Sequence, residues 1–133
     1  MVDAGPLVAY LKRDEVDHAW AEDRFRELRR PLLTCEPVLS EAFFLLQGVH
    51  NGSRQLLGLL ERGLVVPDFN VRANLPALAQ LMCRYESVPM SLADACLVRM
   101  SELARDAAVF TLDRDFRIYR RHGRQVIPLI FPD

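Results

Sequence analysis

Residues 107–116, AAVFTLDRDF, place an apolar run directly before an acidic loop. The apolar part, residues 107–112, is short and has a β-branched and an aromatic residue at its centre, which predicts a buried strand. Asp113 follows where this strand ends. Because ligands of open parallel α/β sheets collect at the carboxyl ends of the strands, Asp113 is a candidate functional residue.

The chain on either side of this stretch alternates short apolar runs with amphipathic ones. Strands are expected at Val2 and at residues 32–34, 64–66, 107–112 and 126–130. After a turn at residues 4–6, helices are expected at residues 7–11, 17–30, 37–51, 53–62, 74–85, 91–105 and 116–121. Alternation of this kind predicts an α/β fold whose central, mainly parallel sheet is flanked by helices.

Length and composition favour a single globular domain over residues 1–133. Half of the 133 residues are apolar and 26% are charged, which is typical of a folded chain. No apolar run approaches the roughly 18 residues that span a bilayer, and the N-terminus lacks the features of a signal peptide. We therefore expect a cytoplasmic protein without a membrane partner.

Charge and ligand-type residues exclude several kinds of site. The formal net charge is -1, so nucleic acid cannot be bound by bulk charge and would need a local basic patch or metal ions. The histidines are scattered, which argues against a zinc site or a histidine-based nucleophile. The three cysteines are far apart and are expected to be buried free thiols: Cys35, Cys83 and Cys96.

Four carboxylates occupy strand ends or the helical turns beside them: Asp3, Glu41, Asp94 and Asp113. All four have apolar neighbours, which is unusual for solvated surface charges. Each also has an ordinary structural explanation. Asp94 could complete a capping box with Ser91, Asp3 and Asp113 could be turn residues, and Glu41 could be an exposed helical residue.

The four carboxylates are more informative together than singly. Converging carboxylates repel one another unless some are protonated or a cation lies between them. Ligands made only of oxygen suit Mg²⁺ or Mn²⁺. Such ions can activate water and stabilise the leaving oxygen of a phosphodiester, so the set indicates a nuclease site.

At these residues the chain resembles the PIN domain family, and in particular the VapC-like toxins of toxin–antitoxin pairs. The opening VDAGPLVAYL resembles the family's first aspartate and its following helix. The segments SEA, SLADA and TLDRDF resemble the second, third and fourth acidic motifs, which contain Glu41, Asp94 and Asp113. The motifs occur in the family's order over nearly the whole chain.

The resemblance implies a metal-dependent ribonuclease. Asp3 and Asp94 would be the principal Mg²⁺ or Mn²⁺ ligands, and Asp113 and Glu41 would complete the acidic pocket. Asp115 would be an additional carboxylate, and Thr111 would orient a carboxylate or a water. The family also implies an RNA substrate, an antitoxin partner and a homodimer.

The N-terminus departs from the family pattern. Only Met1 and Val2 precede Asp3, whereas the family's first strand usually has several apolar residues before its aspartate. Either translation starts upstream of Met1, or the first strand is truncated and Asp3 lies beside a mobile terminus.

A run of arginines follows the last acidic motif. Its members could contact RNA phosphates or could form a solvated helix face: Arg114, Arg117, Arg120, Arg121 and Arg124.

Three other functions are compatible with the sequence. A phosphatase or receiver-type domain needs a suitably placed lysine, and the single lysine, Lys12, is poorly placed for that role. A PIN-like binding module without turnover would keep the fold. A PIN nuclease that matures RNA outside a toxin pair would have the same chemistry.

Overall fold

A computed structural model describes residues 1–133 as alternating helices and short strands. The helices are α1 (Ala4–Leu11), α2 (His18–Glu27), α3 (Glu36–Leu45), α4 (Gly52–Glu61), α5 (Leu75–Arg84) and α6 (Leu92–Leu103). The strands are β1 (Leu32–Thr34), β2 (Val65–Pro67), β3 (Val109–Phe110), β4 (Arg120–Arg121), β5 (Gln125–Val126) and β6 (Leu129–Ile130). Two 3₁₀ turns complete the structure, at Arg72–Asn74 and Arg114–Arg117.

The central sheet is parallel. Strand β1 pairs with β2, and β3 pairs with β6, both in parallel register. The strands β4 and β5 form a separate antiparallel hairpin. The predicted α/β fold with a mainly parallel sheet flanked by helices is therefore confirmed.

Residues 1–3 join the two parallel strand pairs. The backbone N–H of Val2 donates to the carbonyl of Leu33 in β1 at 2.8 Å. On the other side, Phe110 in β3 donates to the carbonyl of Met1 at 2.8 Å and accepts from the N–H of Asp3 at 2.9 Å. The expectation of a loosely held Asp3 is wrong because hydrogen bonds hold this segment on both sides.

The core gathers around β3 and α6. Phe110 is buried against Phe25 and Trp20, with ring centroids 5.4 and 5.5 Å apart. Helix α6 is buried along most of its length, which explains why most of its residues are apolar. One hydrophobic cluster therefore supports the sheet and its flanking helices.

The N-terminal helix begins earlier than the sequence suggests. A turn was expected at residues 4–6, but α1 begins at Ala4 because the Asp3 carboxylate accepts a hydrogen bond from the Ala4 N–H. Pro6 lies in the first turn of α1, where its missing N–H removes no intrahelical hydrogen bond.

The helix predicted at residues 116–121 is wrong. Residues Arg114–Arg117 form a 3₁₀ turn, and Arg120–Arg121 belong to the β4–β5 hairpin. The hairpin turn has two residues at positive φ, His122 at 51° and Gly123 at 78°, which a continuing helix does not allow. The strand predicted at residues 126–130 is likewise divided into β5 and β6.

Other boundaries shift for local reasons. Helix α3 ends at Leu45 instead of residue 51, and α4 begins at Gly52, one residue earlier than expected. The Asn70 side chain accepts from the Ala73 N–H at 2.9 Å and so begins the 3₁₀ turn before α5. Cys35 and Cys96 are buried free thiols as predicted, whereas Cys83 is exposed. None of the helices combines the length and apolar character required to cross a membrane.

Phe110→Ala should lower the free energy of unfolding by about 3 to 5 kcal/mol, because it leaves a cavity beneath β3. Phe44→Ala is the matched control, since Phe44 is 68% exposed and its truncation should change stability by less than about 0.5 kcal/mol. Urea denaturation of both variants measures the difference. Equal losses of unfolding free energy in the two variants would contradict the placement of Phe110 in the core and of Phe44 at the surface.

Candidate metal centre

Asp3 is held by hydrogen bonds to both of its carboxylate oxygens. Oδ1 accepts from the backbone N–H of Ala4 at 2.8 Å, so Asp3 is the N-cap of α1. Oδ2 accepts from the hydroxyl of Thr111, just after β3, at 2.7 Å. The carboxylate is therefore fixed between two elements that are far apart in sequence.

Thr111 also positions Asp113. The Thr111 hydroxyl accepts a hydrogen bond from the Asp113 N–H at 3.0 Å while it donates to Asp3. Asp113 Oδ1 in turn accepts from the N–H of Asp115 at 2.9 Å. One buried hydroxyl thus links two candidate ligands.

Asp94 both caps a helix and belongs to the acidic cluster. The Ser91 hydroxyl accepts from the Asp94 N–H at 3.0 Å, and Asp94 Oδ2 accepts from the Ser91 N–H at 3.2 Å. The same Oδ2 accepts from the buried hydroxyl of Tyr119 at 3.1 Å. Since these contacts use Oδ2, the other oxygen, Oδ1, has no protein partner.

Asp3, Asp94 and Asp113 form a compact acidic cluster. Each offers one carboxylate oxygen, and these oxygens lie within 4.8 Å of one another. Asp3 is 6% exposed and Asp94 is 8% exposed. No arginine, lysine or histidine forms an ion pair with any of the three. The cluster therefore holds negative charge that the protein itself does not neutralise.

Burial and the neighbouring acids disfavour the charged forms of Asp3 and Asp94. Burial raises the pKa of Asp3 to about 6, with smaller contributions from Asp94 and Glu41. Burial also raises the pKa of Asp94, and the charge of Asp113 adds to that effect. An all-oxygen donor set that is short of positive charge fits a hard divalent cation such as Mg²⁺ or Mn²⁺.

Glu41 lies at the margin of this cluster. It is exposed on α3 and is not one of the three converging ligands. Burial raises its pKa, and so do the charges of Asp94 and Asp113, which shows that it faces the same acidic region. The structure thus brings three of the four predicted carboxylates together and places the fourth beside them.

The comparison with known families agrees with this site. The PIN domain family matches residues 1–121, which is most of the chain and contains all four candidate carboxylates. The chain belongs to the PIN domain family. Members of this family are generally metal-dependent nucleases. A search of curated proteins found no matching relative.

The arginines that follow the acidic loop have different environments in this PIN domain. Arg120 uses Nη1 to donate to the carbonyls of Arg117, Ile118 and Tyr119, at 2.7, 3.1 and 3.0 Å. Arg121 uses Nη1 to donate to the carbonyls of Ser101 and Arg105, at 3.1 and 3.0 Å. These two guanidinium groups therefore stabilise the backbone of the PIN domain.

The remaining three arginines of the run are exposed: Arg114, Arg117 and Arg124. Arg117 stacks on Phe131, with its guanidinium carbon 4.4 Å from the ring centroid, and lies 3.7 Å from the Asp133 carboxylate. Arg114 is adjacent in sequence to Asp113 and has no side-chain hydrogen bond or ion pair. Within the arginine run, Arg114 is the member whose guanidinium is free beside the acidic loop.

Tyr119 is a site residue that the sequence analysis missed. Its ring is fully buried between Tyr85 and Phe116, with centroid distances of 5.1 and 5.3 Å. Its hydroxyl reaches Asp94 from 25 residues away. The sequence offered no signal beyond an aromatic residue between arginines, because the contact depends on the unpredicted 3₁₀ turn and hairpin.

The raised pKa of Asp3 predicts a pH-dependent stability. Since the pKa of Asp3 is about 6 in the fold and 3.8 in its ordinary state, the fold favours the protonated acid. The stability that this provides is complete below about pH 4 and is lost as pH rises through about pH 6. In EDTA, the free energy of unfolding of the native protein relative to Asp3→Asn should therefore fall by up to about 3 kcal/mol over this interval.

Urea denaturation across this pH range measures that difference. Subtracting the values of Asp3→Asn removes the pH dependence that the other titrating groups give to both proteins. A relative stability that stayed constant, or that rose with pH, would contradict the assigned environment of Asp3.

Tyr119→Phe should weaken Mn²⁺ binding by about 10- to 100-fold, the range found when a partner of a metal ligand is removed. Tyr85→Phe is the matched control, because the Tyr85 hydroxyl accepts from the Arg120 N–H instead of contacting an acid. Isothermal titration with Mn²⁺ compares the two. Similar losses in both variants would mean that the effect comes from packing and not from the contact with Asp94.

Proposed function

We propose that this PIN domain is a ribonuclease that hydrolyses phosphodiester bonds with Mg²⁺ or Mn²⁺. The observation that carries the proposal is the cluster of Asp3, Asp94 and Asp113, whose oxygens converge within 4.8 Å without a basic partner. RNA as the substrate rests on the family resemblance, since no residue of the site identifies a 2′-hydroxyl.

In this proposal, Asp3, Asp94 and Asp113 hold the divalent cation, and Glu41 completes the acidic pocket directly or through water. When bound, the cation supplies Lewis-acid chemistry that activates water and stabilises the charge that develops on the phosphate. The chain provides positioning: Thr111 orients Asp3 and Asp113, and Tyr119 orients Asp94. Asp115 contributes through its N–H, which fixes the Asp113 carboxylate.

Electrostatics assign a complementary role to the neighbouring arginine. An RNA phosphate at the acidic cluster needs a cation on its outer side, and Arg114 is exposed next to Asp113. Phosphate contacts from Arg117, Arg120 and Arg121 are also part of the proposal, although the last two already donate to backbone carbonyls through Nη1.

We further propose that this PIN domain is a cytoplasmic VapC-like toxin. In this proposal it forms a homodimer and is neutralised by an antitoxin. The ordered acidic motifs support this subtype. The end of α3 also presents an apolar surface for a protein partner, since Phe44 is 68% exposed and Leu45 is 48% exposed.

Single-stranded RNA should be cut in Mn²⁺ or Mg²⁺ and left intact in EDTA. Asp94→Asn should lower the cleavage rate by more than about a hundredfold, because loss of a ligand should cost at least as much as loss of a ligand's partner. Gel analysis of labelled RNA measures the rate.

Asp106→Asn provides the control, because Asp106 is an exposed acid outside the cluster. It should cleave at the native rate. If the native protein binds metal but does not cleave RNA, the nuclease proposal fails and the protein is a PIN-like binding module.

A further inference from the structure

A polar groove lies away from the acidic cluster, between the end of α1 and helix α4. It consists of two adjoining cavities of about 550 and 380 Å³. Both are lined by Leu11, Arg13 and Gln55, so they form one continuous depression. We call this depression the α1–α4 groove.

Cationic side chains outnumber acidic ones in the lining of the α1–α4 groove. They are Lys12, Arg13, Arg54 and Arg62, against only two acidic residues, Asp14 and Glu22. The side-chain amides of Asn51 and Gln55 add hydrogen-bond donors. A chain whose formal net charge is -1 therefore concentrates positive charge in a concave surface.

Two of these cations are available to a ligand. The guanidinium groups of Arg13 and Arg54 form no hydrogen bond and no ion pair within the protein, whereas Lys12 pairs with Glu15 at 3.5 Å and Arg62 donates to the Gly58 carbonyl at 3.1 Å. A guanidinium can donate two parallel hydrogen bonds to a phosphate. The groove thus offers the free arginines that Arg120 and Arg121 do not provide.

Helix α1 connects the groove with the proposed metal centre. Asp3 caps its N-terminus, and Leu11 and Lys12 at its other end line the groove. Eight helical residues separate the two regions by about 12 Å along the helix axis. One flexible strand of several nucleotides can therefore contact both regions.

We propose that the α1–α4 groove binds the phosphodiester backbone of the RNA strand, away from the bond that is cut. This deepens the proposed ribonuclease function and rests on it. The groove neutralises phosphates, while the acidic cluster acts on the scissile phosphate. RNA is favoured over an acidic protein segment because the groove shares its supporting helix with a site built for phosphodiesters.

The first test measures binding without catalysis. A fluorescein-labelled 12-nucleotide oligouridylate is titrated with protein in EDTA at several salt concentrations, and fluorescence anisotropy is recorded. Arg13→Gln with Arg54→Gln should weaken binding about tenfold at low salt. It should also make the dependence of log affinity on log salt shallower by about 1.4, the change expected when two contacts to single-stranded phosphates are lost.

Arg29→Gln with Arg105→Gln is the matched control. It removes the same charge from exposed arginines outside the groove and should leave both affinity and salt dependence close to those of the native protein. Equal weakening by the two double variants would overturn the proposal, because it would show that only overall charge matters. Native affinity in the Arg13/Arg54 variant would overturn it as well.

Polyglutamate tests whether the groove binds an acidic protein segment instead of RNA. If polyglutamate binds the native protein in a manner that requires Arg13 and Arg54 while oligouridylate does not, the groove is a site for acidic protein and the proposal fails.

A cleavage assay separates this proposal from the nuclease itself. The Arg13/Arg54 variant should raise KM for the 12-nucleotide RNA without changing kcat, and should cut a dinucleotide substrate as the native protein does. If the native protein cuts no RNA but binds oligouridylate through the groove, the nuclease proposal fails and the RNA-binding assignment of the groove stands. A lower kcat on both substrates would overturn the proposal, because it would show that the two arginines maintain the structure of the acidic cluster and do not bind RNA.

Discussion

The insertion of residues 1–3 between β1 and β3 is the constraint on which both the sheet and the metal centre depend. The N–H of Val2 pairs with β1, while Met1 and Asp3 pair with β3 through Phe110. Without this segment, the two parallel strand pairs would share no backbone hydrogen bonds. Because Asp3 is the last residue of the segment and the first cap of α1, the pairing that closes the sheet also determines where its carboxylate points.

The same arrangement lowers the stability of the fold while it prepares the acidic cluster for a cation. A buried carboxylate among other carboxylates is disfavoured in its charged form, and the raised pKa of Asp3 expresses that cost. The fold lowers the cost with hydrogen bonds from Ala4 and Thr111 instead of an ion pair. An internal arginine would neutralise the cluster more fully, but it would occupy the position of a cation. The absence of such a partner is therefore what makes the cluster suitable for a metal ion.

The sequence predicted those features that depend on local pattern. Apolar runs predicted the parallel sheet, and the ordered acidic motifs predicted the residues of the cluster. Asp94 completes the predicted capping box with Ser91 and also belongs to the acidic cluster. What could not be predicted depends on tertiary contacts: Tyr119 reaches Asp94 only because the chain turns through a 3₁₀ segment into a hairpin. The helix expected across the arginine run is wrong for the same reason, since these residues form a 3₁₀ turn and one strand of the hairpin.

The distribution of charge follows from the direction of α1. Its N-terminal end meets the carboxyl ends of the strands, where the acidic cluster lies, and its C-terminal end meets the cationic α1–α4 groove. A polyanion approaching the acids alone would be repelled, and a metal ion compensates for this only close to the cluster, since salt screens charges beyond about 10 Å. Phosphates farther along the strand need protein cations of their own. A chain with almost no net charge can therefore bind a polyanion only if its positive and negative residues are separated, and α1 separates them.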